Sequence, residues 1–171
     1  MIETPRITTD RLTLRLPEER DFADIAAFMT SKQTRFVGDI EPDPWRQWQA
    51  LLGNLGHWLL RGYGFFAVER IADGAFLGRV GIVNHIMWPE AELGWNLNPG
   101  FEGHGYATEA AVAARDWMFE THGQSGLISQ IHPDNTPSIK LAERIGAIFE
   151  REDTLFDAPC LVYRHPKQEV A

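Results

Sequence analysis

The stretch from Ala91 to Ala110 constrains this chain more than any other. Ala91, Leu93, Trp95 and Leu97 alternate with Glu92, Gly94, Asn96 and Asn98, which is the period of a β-strand. Pro99 has no N–H to give to a ladder and closes the strand. Gly100, Gly103 and Gly105 follow, and an alanine-rich helical run starts straight after them. The first N–H groups of such a helix have no partner within it, and the aligned peptide dipoles place roughly half a positive charge there. Glycines let a bulky anion approach that backbone. Strand, glycine loop and helix together describe a phosphate cradle.

Three cradles compete for this pattern. A P-loop requires Gly-Lys-Ser/Thr, but Gly105 is followed by Tyr106-Ala107-Thr108, so no lysine reaches the phosphates. A dinucleotide site requires a third glycine where Thr108 stands and an acidic residue about 20 positions on, and the stretch Gly123 to Ser125 has none. The third is the pyrophosphate loop of acyl-CoA-dependent N-acetyltransferases. Ala91-Glu92-Leu93-Gly94-Trp95, followed by Gly103-His104-Gly105-Tyr106-Ala107-Thr108-Glu109-Ala110, resembles the central motif of the GNAT superfamily. The likeness is to its RimJ/RimL-like branch, the ribosomal-protein N-acetyltransferases. Arg11-Leu12-x-Leu14-Arg15 resembles the way members of that branch begin, and Pro133-x-Asn135-x-x-Ser138 with Glu143-Arg144-Ile145-Gly146-Ala147 matches a second family motif.

Length and composition set the outer bounds. A chain of 171 residues holds one domain with a sizeable core and is too short to expect two, so one acetyltransferase domain over residues 1–171 is expected. Sixteen basic and twenty-four acidic residues leave a net charge of −8, which argues against nucleic acid or an anionic membrane as partner. The same surplus mildly favours a cationic substrate. There is no apolar run of membrane-spanning length, and Met1-Ile2-Glu3-Thr4-Pro5 lacks the layout of a signal peptide. The single cysteine, Cys160, suits a reducing cytoplasm and reads as a small core residue of an apolar strand. No metal site is expected.

Along the chain, Arg11 to Leu16 alternates as a first strand. Pro17 is expected to open a helix with Glu18, Glu19 and Asp21 at its positive end and Phe22, Ile25, Ala26 and Met29 on one buried face. Thr30 to Pro44 reads as a loop rich in turn formers (Gly38-Asp39, Glu41-Pro42-Asp43-Pro44). A second helix from about Trp45 to Arg61 would carry Trp45, Trp48, Leu52, Leu55 and Leu59 on one side. Tyr63 to Arg70 and Phe76 to His85 are strands joined by a turn at Ala72-Asp73-Gly74, and they lead into the strand at Ala91. A helix from Gly103 to about Thr121, a strand from Leu127 to His132, a fourth helix capped by Asp134 or Asn135 and ended at Gly146, and strands at Ala147–Thr154 and Leu161–His165 complete the order. The β-α-α-β-β-β-α-β-α-β-β sequence is the GNAT order. That resemblance implies a mixed α/β fold, a mostly antiparallel twisted sheet of about seven strands splayed between the fourth and fifth, flanked by about four helices.

Acetyl transfer from a thioester to an amine requires a neutral amine, a donor for the oxyanion and a departing thiolate. A lysine-like amine of pKa ~10.4 is neutral about once in ~2500 molecules at pH 7, and an α-amine of pKa ~7.8 about once in ~7, so a base matters most for the former. By the resemblance, Glu92 is the general base, with His85 and His132 as rivals, and Ser138 matches the serine the RimL-like branch uses near the sulfur. The tyrosine acid of most GNAT enzymes is replaced by Ala142. For acetyl-CoA, Trp95, Asn96 and Leu97 are expected to offer backbone groups to the pantetheine amides, and Glu102, Gly103, His104, Gly105, Tyr106, Ala107 and Thr108 to wrap the pyrophosphate. Asn135 resembles the family asparagine that binds the pantetheine arm. The family's usual Gln or Arg three residues before the first loop glycine is Gly100, and Glu109 is expected to cap its helix or offset the dipole.

The resemblance implies direct acetyl transfer to a primary amine, foremost a protein N-terminal α-amine. A small cationic amine (a polyamine or aminoglycoside) is the alternative acceptor, and a non-catalytic acyl-CoA-binding module the alternative class. Thr30 to Arg61 is expected to form the substrate lid, with Trp45 and Trp48 either facing substrate or packing in the core. A homodimer built on the second helix or the last strands stays open.

Overall fold

Parity along the strands decides which side chains meet in this molecule. The computed structural model describes residues 5–36 and 43–167; the turn formers Gly38-Asp39 and Glu41-Pro42 lie outside the described residues. Eight strands form one sheet: β1 (Ile7–Thr8), β2 (Leu12–Arg15), β3 (Phe65–Arg70), β4 (Phe76–Val83), β5 (Glu92–Leu97), β6 (Gly126–Ile131), β7 (Ile148–Leu155) and β8 (Ala158–Pro166). Their order is β1-β2-β3-β4-β5-β6-β8-β7. Four helices interleave: α1 (Phe22–Met29), α2 (Pro44–Arg61), α3 (Tyr106–His122) and α4 (Thr136–Arg144). The expected mixed fold is present, with the two-residue β1 as an additional strand.

Every neighbouring pair is antiparallel except β5 and β6, which run parallel and meet at one register pair, Glu92 with Ile128. There Ile128 N donates to Ala91 O at 3.0 Å. Beyond that point the strands diverge, which is the expected splay.

The two faces of the sheet are filled differently. On one, Leu14, Phe66, Val80, Ile82 and Leu93 pack with Ala110, Ala111, Ala114 and Met118 of α3, all essentially inaccessible. The alanines let α3 lie close on the sheet, so its glycine-capped start is held against the end of β5. On the other face, Ile25, Phe28 and Met29 of α1 meet Leu51 of α2 over Ala67 and Phe76.

Two helices depart from expectation. α1 begins at Phe22, not at Pro17, because a 3-10 turn at Glu19–Asp21 precedes it. Asp21 does not complement a dipole in water; it is buried, takes two bonds from Arg15 at 2.7 and 2.8 Å and one from Glu18 N at 2.8 Å. α2 turns a different face inward: Gln47, Leu51, Asn54 and Trp58 are buried, whereas Trp45 is 66% and Leu59 68% exposed. The reason is backbone satisfaction at the start of β3. Asn54 accepts from Phe65 N and donates to Phe65 O, and Trp58 Nε1 donates to the same carbonyl, all at 3.0 Å. Buried polar groups must be paired, and here that requirement outranks the apolar stripe. Trp48 packs edge-on against Phe22 with ring centroids 5.5 Å apart, as a core residue. β8 starts at Ala158, three residues before the expected Leu161, because Phe156 and Asp157 both take positive φ and make a tight two-residue hairpin.

Close approach also fixes Gly81. A Cβ there would stand 2.1 Å from Gly64 O and 2.7 Å from Phe65 Cα, which are backbone atoms that cannot step aside. Gly81→Ala is therefore expected to lower unfolding free energy by about 3 kcal/mol, the upper range of overpacking costs, read as a lower urea midpoint at unchanged slope.

Candidate active site

The glycine loop has the shape its sequence calls for. Gly103 and Gly105 both sit at φ +79° and are exposed, and a Cβ added at Gly103 would touch nothing within 4 Å. Gly105 caps α3 in the left-handed conformation, with no side chain bonded to the helix end. The first-turn N–H groups beginning at Tyr106 thus follow an exposed loop with free space at Gly103, an arrangement suited to an anion.

Charged side chains that the sequence does not connect gather round this loop. Arg11, just before β2, donates to His104 O at 3.0 Å and lies 4.6 Å over the Tyr106 ring. Glu109 does not cap its helix. Its carboxylate takes Thr9 Oγ1 at 2.6 Å, Arg11 N at 3.0 Å and Arg11 Nε at 2.7 Å, tying the N-terminal strands to the start of α3. Burial works to raise the Glu109 pKa, and the bonds from Thr9 and Arg11 outweigh it and hold the carboxyl below its ordinary value. Arg144 of α4 reaches Thr108 Oγ1 at 3.4 Å. So where Gly100 leaves no cation in sequence, Arg11 and Arg144 bring two in space. Glu102 accepts from Gly100 N at 2.8 Å and from the Gln33 amide. Gln33 belongs to a 3-10 turn, Lys32–Phe36, whose Phe36 ring lies 5.5 Å from that of His132 at the end of β6. This short turn bridges the segments that follow the two diverging strands.

The wedge itself is organised by strand parity. Ala91 O and Leu93 O accept from Ile128 N and Ser129 Oγ, so the backbone groups of odd-numbered β5 residues face β6. Trp95 and Leu97 continue that series and have no β6 residue in register. Asn96, in contrast with the expectation for Trp95 to Leu97 as a block, turns its backbone toward β4. Ser129 spends its one proton on Leu93 O at 2.6 Å, so the 2.8 Å contact to His165 Nε2 is donated by the imidazole. His165 is fully buried, and burial, with Arg115 and Arg164 adding to it, pushes its pKa down to about 4.

Glu92 stands at the fork. Its carboxylate accepts from Gln130 N at 3.1 Å, from Gln130 Nε2 at 3.2 Å and from the Trp88 indole. Burial raises its pKa above the ordinary carboxylate value against the pull of those donors. Ser138 lies across the sheet: Trp95, on the α3 face with Val80, donates Nε1 to Ser138 Oγ at 3.2 Å, leaving the hydroxyl proton free to donate. Asn135 caps α4 by accepting from Ser138 N at 3.3 Å. Glu92 and Ser138 therefore approach the slit from opposite faces. His85 is exposed and lies 4.7 Å from the Trp88 ring, and His132 Nδ1 accepts from Asp134 N at 3.1 Å; neither joins Glu92. Ala142 and Cys160 are buried among apolar neighbours. The site contacts of Trp88, Gln130, Arg11 and Arg144 escape sequence reading, because folding and not a sequence motif brings them to their partners.

An acetyltransferase (GNAT) domain model matches residues 11–148. The chain belongs to the GNAT acetyltransferase family. The Bacillus subtilis protein YkkB is 30% identical over 165 residues, covering 92% of this chain and 94% of its own length. The Escherichia coli [ribosomal protein uS5]-alanine N-acetyltransferase is 28% identical over 156 residues, covering 86% of this chain and 79% of its own. Among solved structures, an acetyltransferase from Agrobacterium tumefaciens superposes with a TM-score of 0.89 at 38% identity, over 98% of this chain and 97% of that one. As a GNAT enzyme the chain is an acetyl-CoA-dependent N-acetyltransferase, and an amine is its acceptor. No helix among the described residues is long and apolar enough to cross a membrane, and no metal-holding cluster occurs among them.

The clamp at the loop can be tested apart from catalysis. Glu109→Ala removes a half-buried carboxylate from Thr9 and Arg11 at once, and a loss of about 2 kcal/mol in unfolding free energy is expected for charge-assisted bonds of this kind. Equilibrium denaturation measures it.

Proposed function

We propose that this enzyme acetylates the α-amine at a protein N-terminus in the cytoplasm, with acetyl-CoA seated on the glycine loop and along the open edge of β5. The observation carrying the reading is the Glu92 carboxylate at the fork, held by three donors on the face opposite Ser138. An incoming α-amine is already neutral about once in ~7 molecules at pH 7, so a base of modest strength acting directly or through one water suffices. Glu92 takes the amine proton, the amine attacks the thioester carbon, and the Ser138 hydroxyl donates toward the departing sulfur. The rest of the rate comes from positioning. The open backbone at Trp95 and Leu97, the first turn from Tyr106 to Thr108 and the nearby Arg11 and Arg144 support the acetyl-CoA part of the reading. The similarity to the E. coli uS5-alanine N-acetyltransferase supports the acceptor.

A small cationic amine is the second reading, favoured by the net charge of −8. Free-thiol release over a panel of N-terminal peptides, polyamines and aminoglycosides separates the two, with turnover of peptides above small amines expected.

Glu92→Gln is expected to lower kcat/KM by about 10²–10⁴-fold with coenzyme A affinity kept. A Glu92 base of raised pKa loses activity as pH falls through that pKa. Trp88→Phe removes a donor that favours the charged form, so the acid limb of the pH–rate profile should move to higher pH; an unmoved limb assigns it to another group. Gly103→Val places a β-branched side chain at φ +79° on the cradle and is expected to weaken coenzyme A binding by at least ~10-fold by calorimetric titration.

A further inference from the structure

On the face of the sheet that carries Glu92, Arg79 makes no hydrogen bond or ion pair among the described residues. Ala67, Arg79 and Asn96 stand side by side on β3, β4 and β5, on the α1 side with Ala67 of the second core. Arg79 Nε is enclosed and makes no hydrogen bond, and Asn96 Oδ1, its neighbour across the strands, is equally enclosed and unpaired. The nearest aromatic face is Phe65, 5.8 Å from the guanidinium carbon to the ring centroid. Burial pushes the Arg79 pKa down to about 10, with no acid offsetting it.

Of the acids on this side, Asp24 of α1 is exposed to solvent, and the others named here are committed elsewhere. Asp21 and Glu69 bind Arg15, and Glu102 binds Gln33 and Gly100 N. Glu92 is held by Trp88 and Gln130. A half-buried guanidinium with its Nε enclosed and no counter-charge is costly to the fold and is balanced when a ligand brings the missing anion to its accessible end. Between Glu92 and Asn96 the floor is Gly94 in register with Gly81 and Phe65. The Phe65 ring lies over Gly94, 2.9 Å from where a Cβ would be. Between base and cation the glycines thus carry no side chain, and the Phe65 ring covers Gly94.

We infer that the amine acceptor carries a carboxylate, which pairs with the accessible end of the Arg79 guanidinium; the inference rests on the N-terminal-amine reading above. Asn96 lies four strand positions after Glu92, about 13 Å between Cα atoms. That span suits an acidic side chain one or two residues inside a peptide better than the α-carboxylate of a free amino acid. The preference is local and opposes the cationic acceptor that the overall charge favours.

The test compares peptides beginning Ala-Asp and Ala-Glu with Ala-Asn and Ala-Gln, and free amino acids with their α-amides, by thiol release. The acidic peptides are expected to exceed their amides by about 30-fold in kcat/KM, with free amino acids showing a smaller ratio. Arg79→Gln collapses the ratio toward one, and Arg79→Lys restores part of it. Titration with the unreactive N-acetyl-Ala-Asp and N-acetyl-Ala-Asn peptides reads the same discrimination without turnover. Equal rates for acid and amide in the wild type, or an undiminished ratio in Arg79→Gln, overturn the inference while acetylation stands. A larger ratio for free amino acids than for peptides overturns the assignment to an internal acidic side chain. Absent turnover with every amine, together with Arg79-dependent binding of the acetylated peptide, sinks the N-terminal-amine reading and keeps the carboxylate site. Arg79→Gln is expected to unfold at or above the wild-type temperature; a markedly lower midpoint makes Arg79 a structural residue and overturns the inference.

Discussion

A parallel strand pair that meets at one residue and then parts must satisfy its opened edges from somewhere. Here side chains do much of that work at the root of the gap. The Glu92 carboxylate takes the Gln130 N–H, and the Ser129 hydroxyl serves Leu93 O, so the fork is closed by groups that belong to neither ladder. Further out, Trp95 and Leu97 face the gap with no strand opposite them. An extended ligand with amide groups can add there as a strand would. The fork, the α3 mouth and the bridging turn at Lys32–Phe36 all follow from that one divergence.

The alternation of β5 then distributes the chemistry. Its even residues send Glu92 and Asn96 to the α1 side, and its odd residues send Trp95 to the α3 side, where Ser138 meets it. A proton-accepting group and a proton-donating group are kept apart by the thickness of the sheet, with the slit as their common ground. One strand in one register makes this separation, and a slip by one residue would exchange the two faces.

Much of this was legible in the residues. The alternation from Ala91 to Asn98 and the glycines at 103 and 105 specify a strand and a left-handed helix mouth through local chemistry, and both are found. The inward face of α2 was not legible, because Asn54 is buried for the sake of Phe65, eleven residues away on another element. Glu109 stands in the first turn of α3 as expected, but its contacts were not legible for the same kind of reason: its partners Thr9 and Arg11 lie about a hundred positions earlier. Local pattern reports what a segment prefers, whereas these pairings depend on where the sheet order brings distant segments together. Arg79 was invisible on both counts, since it differs from an ordinary strand residue only in what does not surround it.

The hydroxyl at the root of the wedge settles one more matter. Because Ser129 gives its proton to Leu93 O, the imidazole of His165 has to stay in the tautomer that donates through Nε2, and its other nitrogen is buried without a hydrogen-bond partner. A second proton would be taken up only in strongly acidic solution, far from where living cells operate. The hinge between the parting strands consequently keeps one charge and one geometry at neutral pH, where this ring stays uncharged.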